Sequence, residues 1–186
     1  VNHLGHFAFT GLLLPKLLKQ ADARIVNVAS SAHKFGRMDF DDLHAERGYS
    51  AGARYGMSKL ANLLFTFELK RRLAHAGAGH VSVLACHPGG AETDLARHLP
   101  KMMSAAILPF ARMVINSAAE GALPTLRAAT DPQAVSGEYY GPAGWFEIAG
   151  SAVPVAADPR AHNAADAQRL WALSIALTGV DPLADE

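Results

Sequence analysis

Two short runs of apolar, β-branched residues, at 24–30 (RIVNVAS) and 80–86 (HVSVLAC), stand on either side of a long amphipathic segment. That alternation narrows the choice of fold more than any other feature. Each run is too short for a helix and lacks the regular polar alternation of a strand with one wet face, so each reads as a buried strand. The segment between them, residues 55–76, places Leu60, Leu63, Leu64 and Phe67 on one helical face. Lys70, Arg71 and Arg72 sit in its later turns, where positive charge suits the helix dipole. Buried strands separated by helices predict a parallel sheet covered on both faces.

The rest of the chain extends the pattern. Leu4, Phe7, Gly11, Leu14 and Leu18 predict a helix over 3–20, with Pro15 as a point of bending. Residues 31–54 are polar and Gly-containing, a long loop of the kind that is more often functional than idle. Pro88-Gly89-Gly90 stops the second strand. Residues 101–115 are apolar without clean periodicity. Ser117 and Glu120 form a capping box that opens a helix running to Thr130 through Pro124. Residues 137–141 (GEYYG) predict a third short strand. Asn163 with Asp166 caps a last helix carrying Leu170, Trp171, Ile175 and Leu177, ended by Gly179. Three strands are few for such a sheet, the first helix has no strand before it, and the chain opens at Val1 already within a helical pattern. The expected fold is therefore α/β: one domain over 1–186, the C-terminal part of a doubly wound, Rossmann-like parallel sheet with about three strands and flanking helices.

Composition removes several functions. Lys and Arg balance Asp and Glu at 17 each, and no basic patch or stacking motif is present, so there is no case for nucleic acid. Cys86 is the single cysteine, which fits a reducing compartment and, with no signal peptide readable, a cytoplasmic location. The apolar stretch 102–115 is broken by Pro109 and Arg112 and is too short to span a bilayer. Among nine histidines, His3 and His6 share a helix face, but spacing places no third ligand, so they read as packing or surface residues rather than a zinc site. No Gly-x-Ser-x-Gly elbow surrounds any serine, which sets a serine hydrolase aside.

Tyr55 and Lys59 lie one helical turn apart and share a face. A phenol titrates near 10, and a nearby ammonium favours its ionised form. Such a pair has the chemistry of a general acid or base tuned by a cation, although the same spacing also occurs in ordinary packing. Ser30 ends a parallel strand, where open α/β sheets place their sites and where serine also simply starts turns. The arrangement is more telling than any one residue. Asn2 lies in the helix before the serine strand, Tyr55-x-x-x-Lys59 opens the next helix, and the following strand ends in Pro88-Gly89 with Thr93 just beyond.

From Asn2 to about Thr93, and more loosely to Val180, this pattern resembles the short-chain dehydrogenase/reductase family. The resemblance implies that Tyr55 is the acid/base at the carbonyl oxygen and that Lys59 hydrogen-bonds the nicotinamide ribose. It implies that Ser30 orients the substrate oxygen, with Ser31 as the alternative, and that Asn2 holds a water linking Lys59 to solvent. Pro88 and Gly89 would pass beside the nicotinamide, His87 would line the cofactor site without ligating, and Thr93 would contact the carboxamide or phosphates. Asn-His-Leu-Gly-His-Phe at 2–7, Asp42-Leu43 and Ser-Lys-Leu-Ala-Asn at 58–62 look like the retinol-dehydrogenase-like branch. That branch implies NADP (or NAD) and a small lipophilic alcohol or carbonyl, with 102–115 either a substrate lid or core. Family dimers pair through the helices at 3–20 and 55–76, so a homodimer is one expectation. The chain departs from the pattern in having no Gly-rich turn after a first strand and no Asn-Asn-Ala-Gly strand end. The phosphate-binding N–H groups of that turn are then missing, and the expectation is a fragment of a working reductase that binds dinucleotide poorly by itself. The alternative is a catalytically silent fragment or a binding protein on the same scaffold.

Overall fold

The computed structural model describes residues 1–90 and 116–184. Four strands form one sheet in the order β1 (Ala23–Val28), β2 (Val81–Cys86), β3 (Tyr139–Pro142), β4 (Ala152–Pro154). The first three run parallel, with Ala23 opposite Val81 and Val28 opposite Cys86, as the apolar runs predict. β4 is antiparallel to β3 and was not expected. Its three residues are too few to show a period, and its Pro154 lacks an N–H, which confines it to an edge. The expected third strand starts two residues later than 137, and the sheet is mixed at this edge.

Alternation along the strands assigns each side chain to a layer. Ala23, Ile25, Val81 and Val83 meet Phe7 and Leu14 of α1 (Leu4–Leu17), Phe65, Leu69 and Leu73 of α2 (Ala51–His75), and Trp171 of α4 (Ala164–Thr178). Leu84, Cys86 and Tyr140 point the other way, onto Ala128 of α3 (Ala118–Thr130). The sheet is thus covered on both faces. Each of the valine, leucine, isoleucine and phenylalanine side chains among them gains roughly 1.5–3 kcal/mol by leaving water.

Local signals set the helix ends. Ser117 Oγ accepts from the Glu120 N–H while Glu120 Oε2 accepts from the Ser117 N–H, closing the capping box of α3. Asn163 Oδ1 accepts from the N–H groups of Ala165 and Asp166 at the start of α4. Gly179 takes the left-handed conformation that ends it (φ 68). α1 is shorter than the predicted 3–20, with Pro15 in its last turn. α2 begins four residues before Tyr55, not at it. Part of the predicted loop 31–54 is a tight 3₁₀ turn, Ser31–Phe35, directly after β1. Among the described residues β1 pairs only with β2, leaving a groove along its other edge beside Phe9 and Leu13.

Candidate functional site

The site lies where β1 and β2 end and α2 begins. α2 runs alongside β1, so its N-terminal turns stand beside the strand end. Lys59 Nζ donates to the Val28 carbonyl at 3.1 Å, the last residue of β1, and lies 5.6 Å from the centre of the Tyr55 ring. Asn62, one turn further along, donates to the same carbonyl at 3.3 Å. The strand end that carries Ser30 is therefore bound to the helix that carries Tyr55 and Lys59. Tyr55 keeps 38 % of its surface in solvent, enough for its hydroxyl to meet a ligand.

Ser30 is extended, and its Oγ accepts from the Ala32 N–H at 3.2 Å, starting the 3₁₀ turn. The turn-starting role is thus real. It uses one acceptor position of a hydroxyl that has a donor and a second acceptor left. Ser31 lies inside the turn. Buried His33 grips the same point: its Nδ1 lies 2.7 Å from the Ser30 carbonyl, and its Nε2 accepts from the Asp158 N–H at 3.0 Å. With Nε2 accepting, Nδ1 carries the proton and donates to Ser30. Burial, more than any charge, pushes the His33 pKa down, consistent with a neutral ring.

Asn2 reaches the helix at Ser58. Its Nδ2 stands 3.5 Å from Ser58 Oγ, which donates to the Tyr55 carbonyl at 2.8 Å. Just before Tyr55, Arg54 donates to Asp42 Oδ2 at 2.7 Å and to the carbonyls of Asp42 and Gly48, pinning the approach to α2. Burial raises the Asp42 pKa, but the N–H groups of Glu46 and Arg47 and the Arg54 guanidinium outweigh it and hold the carboxyl below its usual range. A cavity of about 870 Å³ opens on this side, reaching Asn2, Tyr55 and Ser58 and walled by Leu43, Met57, Leu173 and Leu177.

On the other side, Pro88 and Gly89 follow β2. Gly89 sits at φ 78, and a side chain there would start 2.3 Å from the Ile148 carbonyl. Asn116 Nδ2 donates to the Pro88 carbonyl at 3.2 Å and its Oδ1 accepts from the Gly150 N–H at 3.3 Å. The His87 ring is fully buried, which pushes its pKa down to about 4 despite the nearby Glu147 carboxylate. Thr93 and the segment 102–115 lie outside the described residues.

The structure thus gathers Ser30, Tyr55 and Lys59 about one strand end, attaches Asn2 through Ser58, and sets Pro88 and Gly89 at the end of the neighbouring strand. Sequence reasoning missed His33, Glu147 and Asn116, and nothing in their spacing marks them. His3 and His6 go separate ways: His3 Nε2 lies 2.8 Å from Ser174 Oγ, and His6 Nδ1 lies 3.3 Å from Asn62 Nδ2. Among the described residues no group of three or more His, Cys, Asp or Glu is placed to hold a metal ion, and no helix is long and apolar enough to cross a membrane.

A family model described as short chain dehydrogenase matches residues 1–104. The chain is 40% identical over 184 residues to retinol dehydrogenase 12 of Homo sapiens and 41% identical over 188 residues to retinol dehydrogenase 13 of the same species. Each match covers 97% of this chain and 53% of the relative, so the chain spans about half the length of those proteins. A crystal structure of an uncharacterised protein from Mycobacterium paratuberculosis superposes with a TM-score of 0.73 at 40% identity, covering 97% of this chain and 57% of that one. The fold, the strand-end cluster and these likenesses agree: the chain belongs to the short-chain dehydrogenase family, on its retinol-dehydrogenase-like side.

Proposed function

We propose that this chain supplies the acid–base part of an NAD(P)-dependent oxidoreductase that interconverts an alcohol and a carbonyl. The observation that carries the reading is the placement of Lys59, bonded to the Val28 carbonyl and 5.6 Å from the Tyr55 ring, so that one cation serves both the phenol and the serine strand end. Tyr55 gives its proton to the substrate oxygen in reduction and takes it back in oxidation. Ser30 hydrogen-bonds and orients that oxygen. Lys59 supplies positive charge beside the phenol and a donor for the cofactor ribose, and Asn2 holds a water that links Lys59 to solvent. Pro88 and Gly89 pass beside the nicotinamide, and the family resemblance assigns Thr93 to its carboxamide or the phosphates. Lys59, Pro88 and Gly89 would hold a nicotinamide dinucleotide, which would supply or accept the hydride, and the partly exposed phenol beside an ammonium suits such a group. The branch likeness favours NADP over NAD.

A lipophilic alcohol or carbonyl is the substrate class. The apolar cavity walls beside Tyr55 support it, as does the likeness to retinol dehydrogenases. The helices α1 and α2 are the faces through which a homodimer would pair.

Substitution in the full-length protein tests the assignment. Tyr55→Phe should lower kcat by about 10²- to 10⁴-fold and leave the dissociation constant for NADPH near that of the wild type. Retained turnover would remove Tyr55 as the acid. Lys59→Met should weaken NADPH binding as well as turnover, and an unchanged affinity would end its double role. A protein that binds NADPH yet reduces no lipophilic aldehyde would instead be a binding protein on this scaffold.

A further inference from the structure

We propose that Glu147 is a positioning residue that locks the turn carrying Ser30 to the turn carrying Pro88 and Gly89, acting through Lys34 and His87. The proposal rests on the site reading above. Its two contacts reach different elements. Glu147 Oε1 accepts from Lys34 Nζ at 2.7 Å, and Oε2 stands 3.0 Å from His87 Nε2. Lys34 belongs to the 3₁₀ turn that Ser30 caps, and His33 of that turn holds the Ser30 carbonyl. His87 Nδ1 accepts from the Gly89 N–H at 3.2 Å, which leaves the ring proton on Nε2, 3.0 Å from the carboxylate oxygen in a charge contact without hydrogen-bond alignment. One side chain thus spans the ends of two neighbouring parallel strands.

The segment that carries Glu147 is shaped at a local cost for this purpose. Phe146 and Glu147 both have positive φ, at 51 and 57, a conformation that residues with side chains rarely adopt. It turns Trp145 and Phe146 outward, 88% and 80% exposed, while the carboxylate points inward to a fully buried imidazole. That reverses the usual partition of apolar and charged groups. Such violations of local preference concentrate where function requires them. Neighbouring glycines clear the space: a Cβ at Gly141 would lie 2.1 Å from His87 Nε2, and one at Gly144 would lie 2.2 Å from the Ala149 carbonyl. The backbone of the same segment also holds the proline–glycine turn, through Gly90 N–H to the Ile148 carbonyl at 2.9 Å.

The test uses the full-length protein with NADPH and nonanal as the probe aldehyde. Glu147→Gln and Lys34→Met should each lower kcat by about 10- to 100-fold, the scale of a misplacement near 1 Å. The NADPH dissociation constant should stay within about threefold, and the double variant should be no worse than the poorer single one. Lys34→Arg should recover most of the rate, because a guanidinium still donates to the carboxylate. Wild-type kcat in both single variants, or additive losses, overturns the lock. Should Glu147→Gln fail to fold, the Lys34 pair decides the same question. Independently of turnover, the His87 ring resonances should move in NMR spectra of Glu147→Gln, because the neighbouring charge is gone, and unmoved resonances also overturn the lock. Tyr55→Phe, run alongside, separates the two claims: retained activity there sinks the site reading, whereas its loss with normal Glu147 and Lys34 variants sinks the lock alone.

Discussion

Around Ser30 and Pro88 several side chains tie one element to another, whereas around Tyr55 and Asn2 the side chains face an apolar cavity. On the first side His33, Glu147, Asn116 and Asp158 join the ends of β1, β2 and the β3–β4 connection. Arg160 reinforces that side by donating to the carbonyls of Lys34 and Gly36 at 2.6 and 2.7 Å. On the second side Asn2 makes one long contact to Ser58, and Tyr55 is more than a third exposed. Under the proposed function, the difference suits a division of labour in proton transfer next to a cofactor. The groups that fix an oxygen and a ring plane need rigidity. The group that exchanges a proton needs access to solvent, and a substrate needs an open wall through which to arrive.

Both sides nevertheless bury imidazoles, His33 and His87 on the first and His3 on the second, and acid should strain them. Burial above all pushes His3 down to about 4, and it does the same to His87 against the pull of Glu147. In the unfolded chain both titrate near 6.5, so between pH 6.5 and 4 the unfolded state binds more protons. Stability is then fully present above about pH 6.5 and falls as pH drops toward 4, by up to about 1.4 kcal/mol per pH unit for each histidine. The carboxyls held low by their partners, Asp42 and Glu68 among them, add their loss only below about pH 4.5. Urea unfolding across this range should show the slope, and His3→Gln should remove about one proton's share of it. A stability flat from pH 6.5 to 5 would show that neither ring is held neutral, and the comparison would lose its common element.

Gly141→Ala sharpens the contrast on the braced side. The new methyl would overlap the His87 ring, which is fully buried, accepts from the Gly89 N–H and stands beside Glu147. Overpacking of this kind costs about 1–3 kcal/mol. A urea midpoint equal to that of the wild type would mean that His87 yields easily and that this side is not rigid.

What the sequence makes legible follows from the range of the interactions. Strands β1 and β2 show themselves in continuous apolar runs, and α3 and α4 in caps whose partners lie within three residues, so those elements are readable without tertiary knowledge. The Ser30, Tyr55 and Lys59 cluster is legible only as a pattern, because nothing local says that Lys59 will reach Val28. His33, Asn116 and Glu147 are illegible for the same reason carried further. Each acts on backbone or side chains far along the chain, from a turn whose shape depends on the sheet. β4 escapes notice because its pairing with β3, and not its composition, makes it a strand.

The smallest effect belongs to the open side. Gly52 lies in the first turn of α2 and borders the cavity, and a Cβ there would meet nothing within 4 Å. Alanine restricts the unfolded chain and favours the helix, so Gly52→Ala should raise stability by roughly 0.5 kcal/mol, less than the full interior value because the site is near the helix start. The same replacement that damages the braced side at Gly141 should therefore help here, and the opposite signs are the point of making both. A loss of stability at Gly52 would mean that the cavity wall is packed against something in the folded protein, and that the openness beside Tyr55 is not a property of the site.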